Sequence, residues 1–218
     1  AWEGLPKISF EDLGGEAYAG LDIARVSDFA AFVLMLRHPK GYDLFPRLYV
    51  PAEKVLEKEE VDKIPLSLWV ERGWVVACPG NEIDQDMIRK DIQQAHQRFG
   101  LVDCGYDPYN CSQLAKLLRA EDGITMTAVP QTMPFLGMPS TELERAMLGG
   151  KIRHNHNPAL TWMVGNAVAI SDNNGNVRPS KRKSKARIDG VVAAVIALQR
   201  ALAPDNETQV SDEPAFWL

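Results

Sequence analysis

The stretch Tyr18-Ala19-Gly20-Leu21-Asp22-Ile23-Ala24 constrains this chain more than any other. It reads as a strand that is apolar on both faces, with one carboxylate in the middle. Continuous apolar strands of this kind sit at the centre of a sheet covered on both sides. An ionised Asp there gives up water on every side, which costs several kcal/mol unless a base, backbone N–H groups or a bound cation compensates. The nearest base in sequence is Arg25. Two readings stand: Asp22 ends a strand, exposed or paired with Arg25, or it holds a metal ion.

The rest of the chain supplies a domain for such a strand. Its 218 residues, 45% hydrophobic and 24% charged, suffice for one good-sized globular domain with a real core. A net charge of -5 gives no global sign of a nucleic-acid binder, so local clustering decides. Cys78, Cys104 and Cys111 are odd in number and lack C-x-x-C spacing, which argues against a disulfide framework or a zinc ribbon and for a reducing cytoplasm. No apolar run reaches the ~18 residues needed to span a membrane, and no signal peptide is visible. The chain starts at Ala1 rather than Met, which reads as a piece of something longer.

Residues 1–16 read as a lead-in punctuated by Pro6 and Gly14-Gly15, with Ile8-Ser9-Phe10 as its one strand candidate. After the turn Arg25-Val26-Ser27-Asp28, apolar runs at Phe29 to Arg37 and Leu44 to Val50 continue an antiparallel meander. Glu53 to Lys63 and Leu66 to Arg72 are helical. Then strand and helix alternate: Trp74 to Cys78, the amphipathic Asp84 to Phe99, Leu101 to Tyr106, Ser112 to Ala120, and Ile124 to Val129. That alternation predicts parallel pairing, so the whole is an α/β domain with a mixed sheet flanked by helices. Residues 130–140, with three prolines, read as an ordered loop, and Ser140 as the cap of a helix Glu142 to Leu148. Pro158 to Ala169 is a helix, Ser171 to Asn176 a hairpin tip, and Val191 to Leu202 a buried apolar helix. The domain thus runs over 17–203, followed by an acidic, flexible tail at 204–218.

Two more carboxylates stand where a sheet-based site would want them. Asp107 follows the strand Leu101 to Tyr106, and Asp189 precedes the apolar helix. Either one alone is more often a helix N-cap, and Pro108 at the first helical position suits that reading. Together with Asp22 they form a trio from three separate elements. Carboxylate oxygens are the donors that Mg²⁺ and Mn²⁺ prefer. Two such ions about 4 Å apart can drive phosphodiester hydrolysis. Asp28 is an auxiliary candidate, with a turn residue as its plainer reading. Arg178, Lys181, Arg182, Lys183, Lys185 and Arg187 put six basic residues into ten positions and run straight into Asp189. A charge run is commonly a solvated loop, but beside a metal site it suits a polyanionic substrate.

His154-Asn155-His156 spells the name of a nuclease motif, yet the Pro and Trp-containing helix after it does not supply that motif's ββ-metal-helix unit. His154 is kept as an auxiliary candidate, touching DNA or supporting the ligands. Nor is there any G-x-x-x-x-G-K-[ST], so the chain carries no P-loop.

Taken in order, several short pieces resemble the C-terminal nuclease domain of the large terminase subunit of tailed double-stranded DNA phages. They are Gly20-Leu21-Asp22-Ile23-Ala24 with Asp28 six residues on, Gly105-Tyr106-Asp107-Pro108, Gly137-Met138-Pro139-Ser140, Lys151-Ile152-Arg153-His154, Gly175 to Lys181 and Arg187-Ile188-Asp189-Gly190. The likeness spans about residues 17 to 203. It implies an RNase H-like fold and a two-metal endonuclease, using Mg²⁺ or Mn²⁺, that cuts concatemeric viral DNA during packaging. By position, Asp22, Asp107 and Asp189 would bind the metals and carry catalysis. Many RNase H-like nucleases have Glu at the middle position, which keeps Asp103 and Asp172 in view as further acids. The resemblance also implies double-stranded DNA, an N-terminal ATPase domain of the full-length protein, a small terminase subunit and a portal or prohead as partners, and no membrane. A resolvase or transposase-type nuclease of the same fold, or a non-catalytic DNA-binding module, are the competing readings. A pure binder has no reason to place Asp22 in an apolar strand.

Overall fold

The computed structural model of the chain describes residues 1–23, 29–173 and 175–203. The turn expected at Arg25 to Asp28, the auxiliary candidate Asp28 itself and the tail from Pro204 lie outside the described residues. Strands β1 (Glu16–Ile23), β2 (Ala30–His38) and β3 (Gly41–Pro51) form the antiparallel meander. Helices α1 (Val55–Asp62) and α2 (Leu66–Glu71) follow. Next come β4 (Val76–Cys78), α3 (Gln85–Phe99), β5 (Asp103–Tyr106), α4 (Pro108–Asp122) and β6 (Met126–Ala128). The chain continues through α5 (Met133–Leu148), β7 (Ile152–His154), α6 (Pro158–Asn166), the hairpin β8 (Ala169–Ser171) and β9 (Val177–Pro179), and α7 (Asp189–Leu202).

One sheet of seven strands runs β4-β3-β2-β1-β5-β6, with β7 beside β3. Strands β4, β5, β6 and β7 all join in parallel, so the sheet is mixed. Helices cover both faces, as an RNase H-like fold requires. Ala17, Ala19, Leu21 and Ile23 of β1 pack toward α3 and α4, while Tyr18 lies in the core that α5, α6 and α7 share. The two-residue period of a strand therefore turns Gly20 and Asp22 to the α7 side. The lead-in is anchored across both cores: Trp2 and Leu5 are buried on one face, Ile8 and Leu13 on the other.

Helix α7 is the keystone of the second face. Nearly all of its side chains are buried, and it lies against β1, β2 and β5. Glycines make that approach available. A Cβ on Gly20 would stand 2.0 Å from the Ala193 carbonyl oxygen and 2.6 Å from the Ala197 nitrogen. A Cβ on Gly105, the neighbour of Gly20 across the β1–β5 ladder, would meet the Ile196 and Arg200 side chains. Arg200 anchors the far end of α7 with a buried bond from Nε to Asp103 Oδ2 at 2.7 Å, and Thr127 Oγ1 donates to the same oxygen at 2.9 Å.

Several sequence expectations are corrected here. Residues 133–140 are not a loop: they open α5, which carries Pro139 inside it. Pro134 is tolerated in a first turn. Beyond Pro139, the Ser140 and Thr141 hydroxyls donate to the Leu136 and Gly137 carbonyls at 2.6 and 3.2 Å. Ser140 is thus inside a helix, and Thr132 holds the N-cap position. The helix after Asn157 stops at Asn166, and Ala169 begins β8. Strand β7 escaped notice because three residues carry no readable period. Phe10 starts a 3-10 turn, and the lead-in contributes only the bridge from Lys7 to His154. Among the described residues, no helix is long and apolar enough to cross a membrane.

Candidate active site

Period and register bring Asp22 and Asp107 together. β1 and β5 are parallel neighbours with Gly20 opposite Gly105 and Leu21 opposite Tyr106. Each strand carries Gly-x-Asp at its C-terminal end, so the two glycines pave the floor for α7 and the two carboxylates follow on the same side. The C-terminal edge of a sheet is where open α/β folds place their ligands. Asn110 of α4 secures this edge by donating from Nδ2 to the Ile23 carbonyl at 2.8 Å. Asp189 comes from the first turn of α7. It makes no cap bond, since Ile188 holds the N-cap position, so its carboxylate is available to the site.

The three acids are linked in a chain by two donors. Gln131 Nε2 donates to Asp107 Oδ2 at 2.8 Å and to Asp22 Oδ1 at 3.1 Å. Lys181 Nζ lies 2.6 Å from Asp22 Oδ2 and 2.8 Å from Asp189 Oδ1. Asp107 is an N-cap as well as a member of this cluster: its Oδ1 caps α4 by accepting from the Tyr109 N–H at 3.1 Å, while its Oδ2 accepts from Gln131. Gln131 was invisible in the sequence: a single Gln between Pro130 and Thr132 has no motif around it.

Electrostatics set this cluster apart from surface acids. Asp22 has no solvent exposure and Asp189 only 4%. Burial pushes the Asp22 carboxyl up from 3.8 to about 7; Lys181 opposes that shift, and Asp189 and Asp107 add to it. Burial also raises Asp107, against Lys181 and Gln131. Burial works against the Lys181 ammonium as well, but Asp22 and Asp189 outweigh it and hold it above the ordinary lysine range.

The donor set fits a hard divalent cation, being carboxylate oxygen throughout. Among the described residues, no three His, Cys, Asp or Glu side chains close on one point as a formed metal centre does. Instead the Lys181 ammonium stands between two of the acids and supplies one positive charge there. Asp22, Asp107 and Asp189 are thus the residues that could hold a metal.

The other candidates divide. Asp103 sits at the opposite end of β5 from Asp107 and is spent on Arg200 and Thr127, so it is not a fourth acid of this cluster. Asp172 belongs to the β8–β9 hairpin, where it accepts from the backbone and side chain of Asn176, both at 2.9 Å. His154 is corrected as an auxiliary. Its ring is 1% exposed, stacks on Trp2 at 4.0 Å and bonds the Trp2 carbonyl through Nε2. Nδ1 accepts from the His156 N–H, so the ring is neutral, and burial lowers its pKa.

The basic run also divides. Lys181 turns inward. Arg178 is half-buried and donates to the Pro179 carbonyl, and Arg187 lies 3.9 Å from Asp62. Arg182, Lys183 and Lys185 are exposed on the turn that leads to Asp189.

Comparison with known proteins gives a consistent picture. Residues 5–205 match the family described as terminase large subunit, endonuclease domain. The chain is 32% identical over 187 residues to the large terminase subunit of Enterobacteria phage HK97, covering 84% of this chain and 37% of that protein. It is 30% identical over 217 residues to protein YmfN of Escherichia coli (strain K12), covering 94% of this chain and 48% of that one. The chain thus spans less than half the length of these curated relatives. The crystal structure of the HK97 large terminase superposes with a TM-score of 0.82 at 29% identity, over 91% of this chain and 42% of that one. The large terminase nuclease of thermophilic phage G20c with bound magnesium shares the fold at a TM-score of 0.58 and 12% identity, over 91% of this chain and 94% of that one.

Proposed function

Given that this chain belongs to the family of terminase large-subunit endonuclease domains, we propose that it hydrolyses phosphodiester bonds of double-stranded viral DNA during genome packaging, with Mg²⁺ or Mn²⁺ held by Asp22, Asp107 and Asp189. The observation that carries this reading is a row of three carboxylates from β1, β5 and α7 at the C-terminal sheet edge, with Asp22 and Asp189 on one ammonium and Asp22 and Asp107 on one amide. A protein that only bound DNA would gain nothing from burying acids beside its basic loop. As part of a longer terminase protein, the domain would act with an N-terminal ATPase, a small subunit and a portal.

In the reaction a water attacks phosphorus and a sugar oxygen leaves. Bound divalent cations would neutralise the phosphate and supply a water acidic enough to attack. The chain's own part is preorganisation. The β1–β5 ladder fixes the spacing of Asp22 and Asp107, Gln131 orients both, and the packing of α7 on Gly20 sets the reach of Asp189. The exposed basic turn receives the backbone phosphates.

Plasmid nicking with Mg²⁺, Mn²⁺ or EDTA is the direct test: cleavage with either ion and none with EDTA is expected. Mn²⁺ should also raise the melting temperature by mass action, and raise it much less in Asp189→Asn. If Mn²⁺ leaves the melt unmoved and EDTA leaves cleavage untouched, the metal reading fails.

The basic turn makes a separate prediction. Neutralising Arg182, Lys183 and Lys185 together should weaken DNA binding about equally for all sequences. It should also flatten the slope of log affinity against log salt by up to about three, near one per lost phosphate contact. A fluorescence-anisotropy titration across salt concentrations checks it. An unchanged slope would make the turn a solvated loop.

A further inference from the structure

Lys181 was expected to face DNA, and the structure folds it onto two acids instead. Its side chain is nonetheless 39% exposed, whereas those of Asp22 and Asp189 are 1% and 6% exposed. The ammonium therefore plugs the mouth of the acid cluster from the solvent side. Its backbone is pinned. The Ser180 N–H donates to the Val168 carbonyl at 3.0 Å, and the Ser184 N–H and hydroxyl both donate to the Ser180 carbonyl at 2.9 and 2.8 Å. Ser184 Oγ in turn accepts from the Val168 N–H at 3.1 Å. What can move is the four-carbon stem, which swings about a fixed base. The next two residues of the same turn, Arg182 and Lys183, face solvent, so an ammonium leaving the acids enters a surface already suited to phosphate.

We propose that Lys181 is an exchange cation: it holds Asp22 and Asp189 together while the metal is absent, yields its place to the divalent ion, and pairs with a DNA phosphate instead, so that metal and DNA bind cooperatively. The inference rests on the reading of Asp22 and Asp189 as metal ligands. The ammonium sits at 2.6 and 2.8 Å on Asp22 Oδ2 and Asp189 Oδ1, so an ion that takes those two oxygens as ligands has to displace it. Removing Lys181 from the acids leaves an ammonium in want of an anion, and an incoming phosphate is one. Each ligand thus lowers the cost of the other, and the coupling is reciprocal.

The test is a calorimetric titration of Mn²⁺ into the full chain. It is run with and without a short duplex carrying non-hydrolysable phosphorothioate linkages, for wild type and for Lys181→Met. Methionine keeps the length of the stem and removes the charge. Wild type is expected to bind Mn²⁺ weakly alone and more tightly with the duplex. Lys181→Met should bind Mn²⁺ about tenfold more tightly than wild type without DNA, a shift of one decade in Kd, and gain less from the duplex. Its melting temperature in EDTA should fall, because two buried acids lose their counter-ion. Lys181→Gln, which keeps a hydrogen-bond donor, is carried in parallel and held to the same outcome in case the Met variant does not fold. If the neutral variants bind Mn²⁺ no more tightly than wild type, or gain as much from the duplex, the exchange role is overturned while the metal site stands. If wild type binds no Mn²⁺ with or without the duplex, the metal reading falls and the exchange role with it.

Discussion

Asp22→Asn is expected to abolish metal-dependent cleavage and, at the same time, to make the metal-free chain more stable above neutral pH. The loss should reach at least about a hundredfold, the scale seen when one preorganised charged or polar group is taken from a reaction site. The gain follows from burial. The Asp22 carboxyl titrates near 7 in the fold against an ordinary value of 3.8, so the folded state holds the proton more tightly than the unfolded one. Such a group contributes stability in full below about pH 4 and loses it as pH rises through 7. The metal-free wild type should therefore weaken between those limits, and the Asn variant should not share that part of the decline. Thermal melts in EDTA at pH 5.5 and pH 8, beside plasmid nicking with Mn²⁺, separate the outcomes. Near wild-type cleavage would remove Asp22 from the site. A lower melting temperature than wild type at pH 8 would mean that its pairing with Lys181 outweighs its burial.

Gly20→Ala should be the most damaging small substitution in the sheet. The added methyl would stand 2.0 Å from a carbonyl oxygen and 2.6 Å from an amide nitrogen of α7, both of them backbone. No rotamer relieves that contact, so the helix must lift off β1. Overpacking commonly costs about 1–3 kcal/mol and here should lie at or above the upper end. Gly105→Ala is the internal control. Its methyl meets Ile196 Cγ2 at 2.6 Å and Arg200 Cγ at 2.9 Å, which are side-chain atoms able to give way, so about 1 kcal/mol is expected. Urea unfolding of the two variants ranks them, and the reverse order would contradict the packing described here. Folded Gly20→Ala should also cleave poorly, because the helix that lifts carries Asp189.

What the sequence made legible follows from where physical signals are local. The three-strand meander, the strand–helix alternation and the buried helix α7 all announce themselves through period and apolar run length. Asp22 stood out because a charge in a doubly apolar strand needs a reason. The register of β1 on β5, which sets Asp22 beside Asp107, is a long-range choice that no local pattern records. Gln131 and the inward turn of Lys181 depend on that register and were hidden for the same cause. Proline misled at 130–140, because a helix packed on a core tolerates Pro139 at a cost a local rule does not see. The spacing of His154 and His156 suggests chemistry, and the fold uses it for packing: the two rings touch each other, and His154 stacks on the buried Trp2.

The position of α7 has a consequence in time. Arg200 closes on Asp103 from 97 residues away, and the glycine floor at Gly20 waits for the same late helix. Chains emerge from the ribosome N-terminus first at about 5–20 residues per second. The strands that carry Asp22 and Asp107 therefore exist for several seconds before Lys181 and Asp189 are made. During that interval one face of the sheet is bare and the acids are two rather than three. Any chain cut short before α7 inherits that state permanently, with an exposed apolar face that invites aggregation and no means of assembling the cluster. Synthesis itself acts as a safety catch: the nuclease chemistry proposed here is withheld from every incomplete copy.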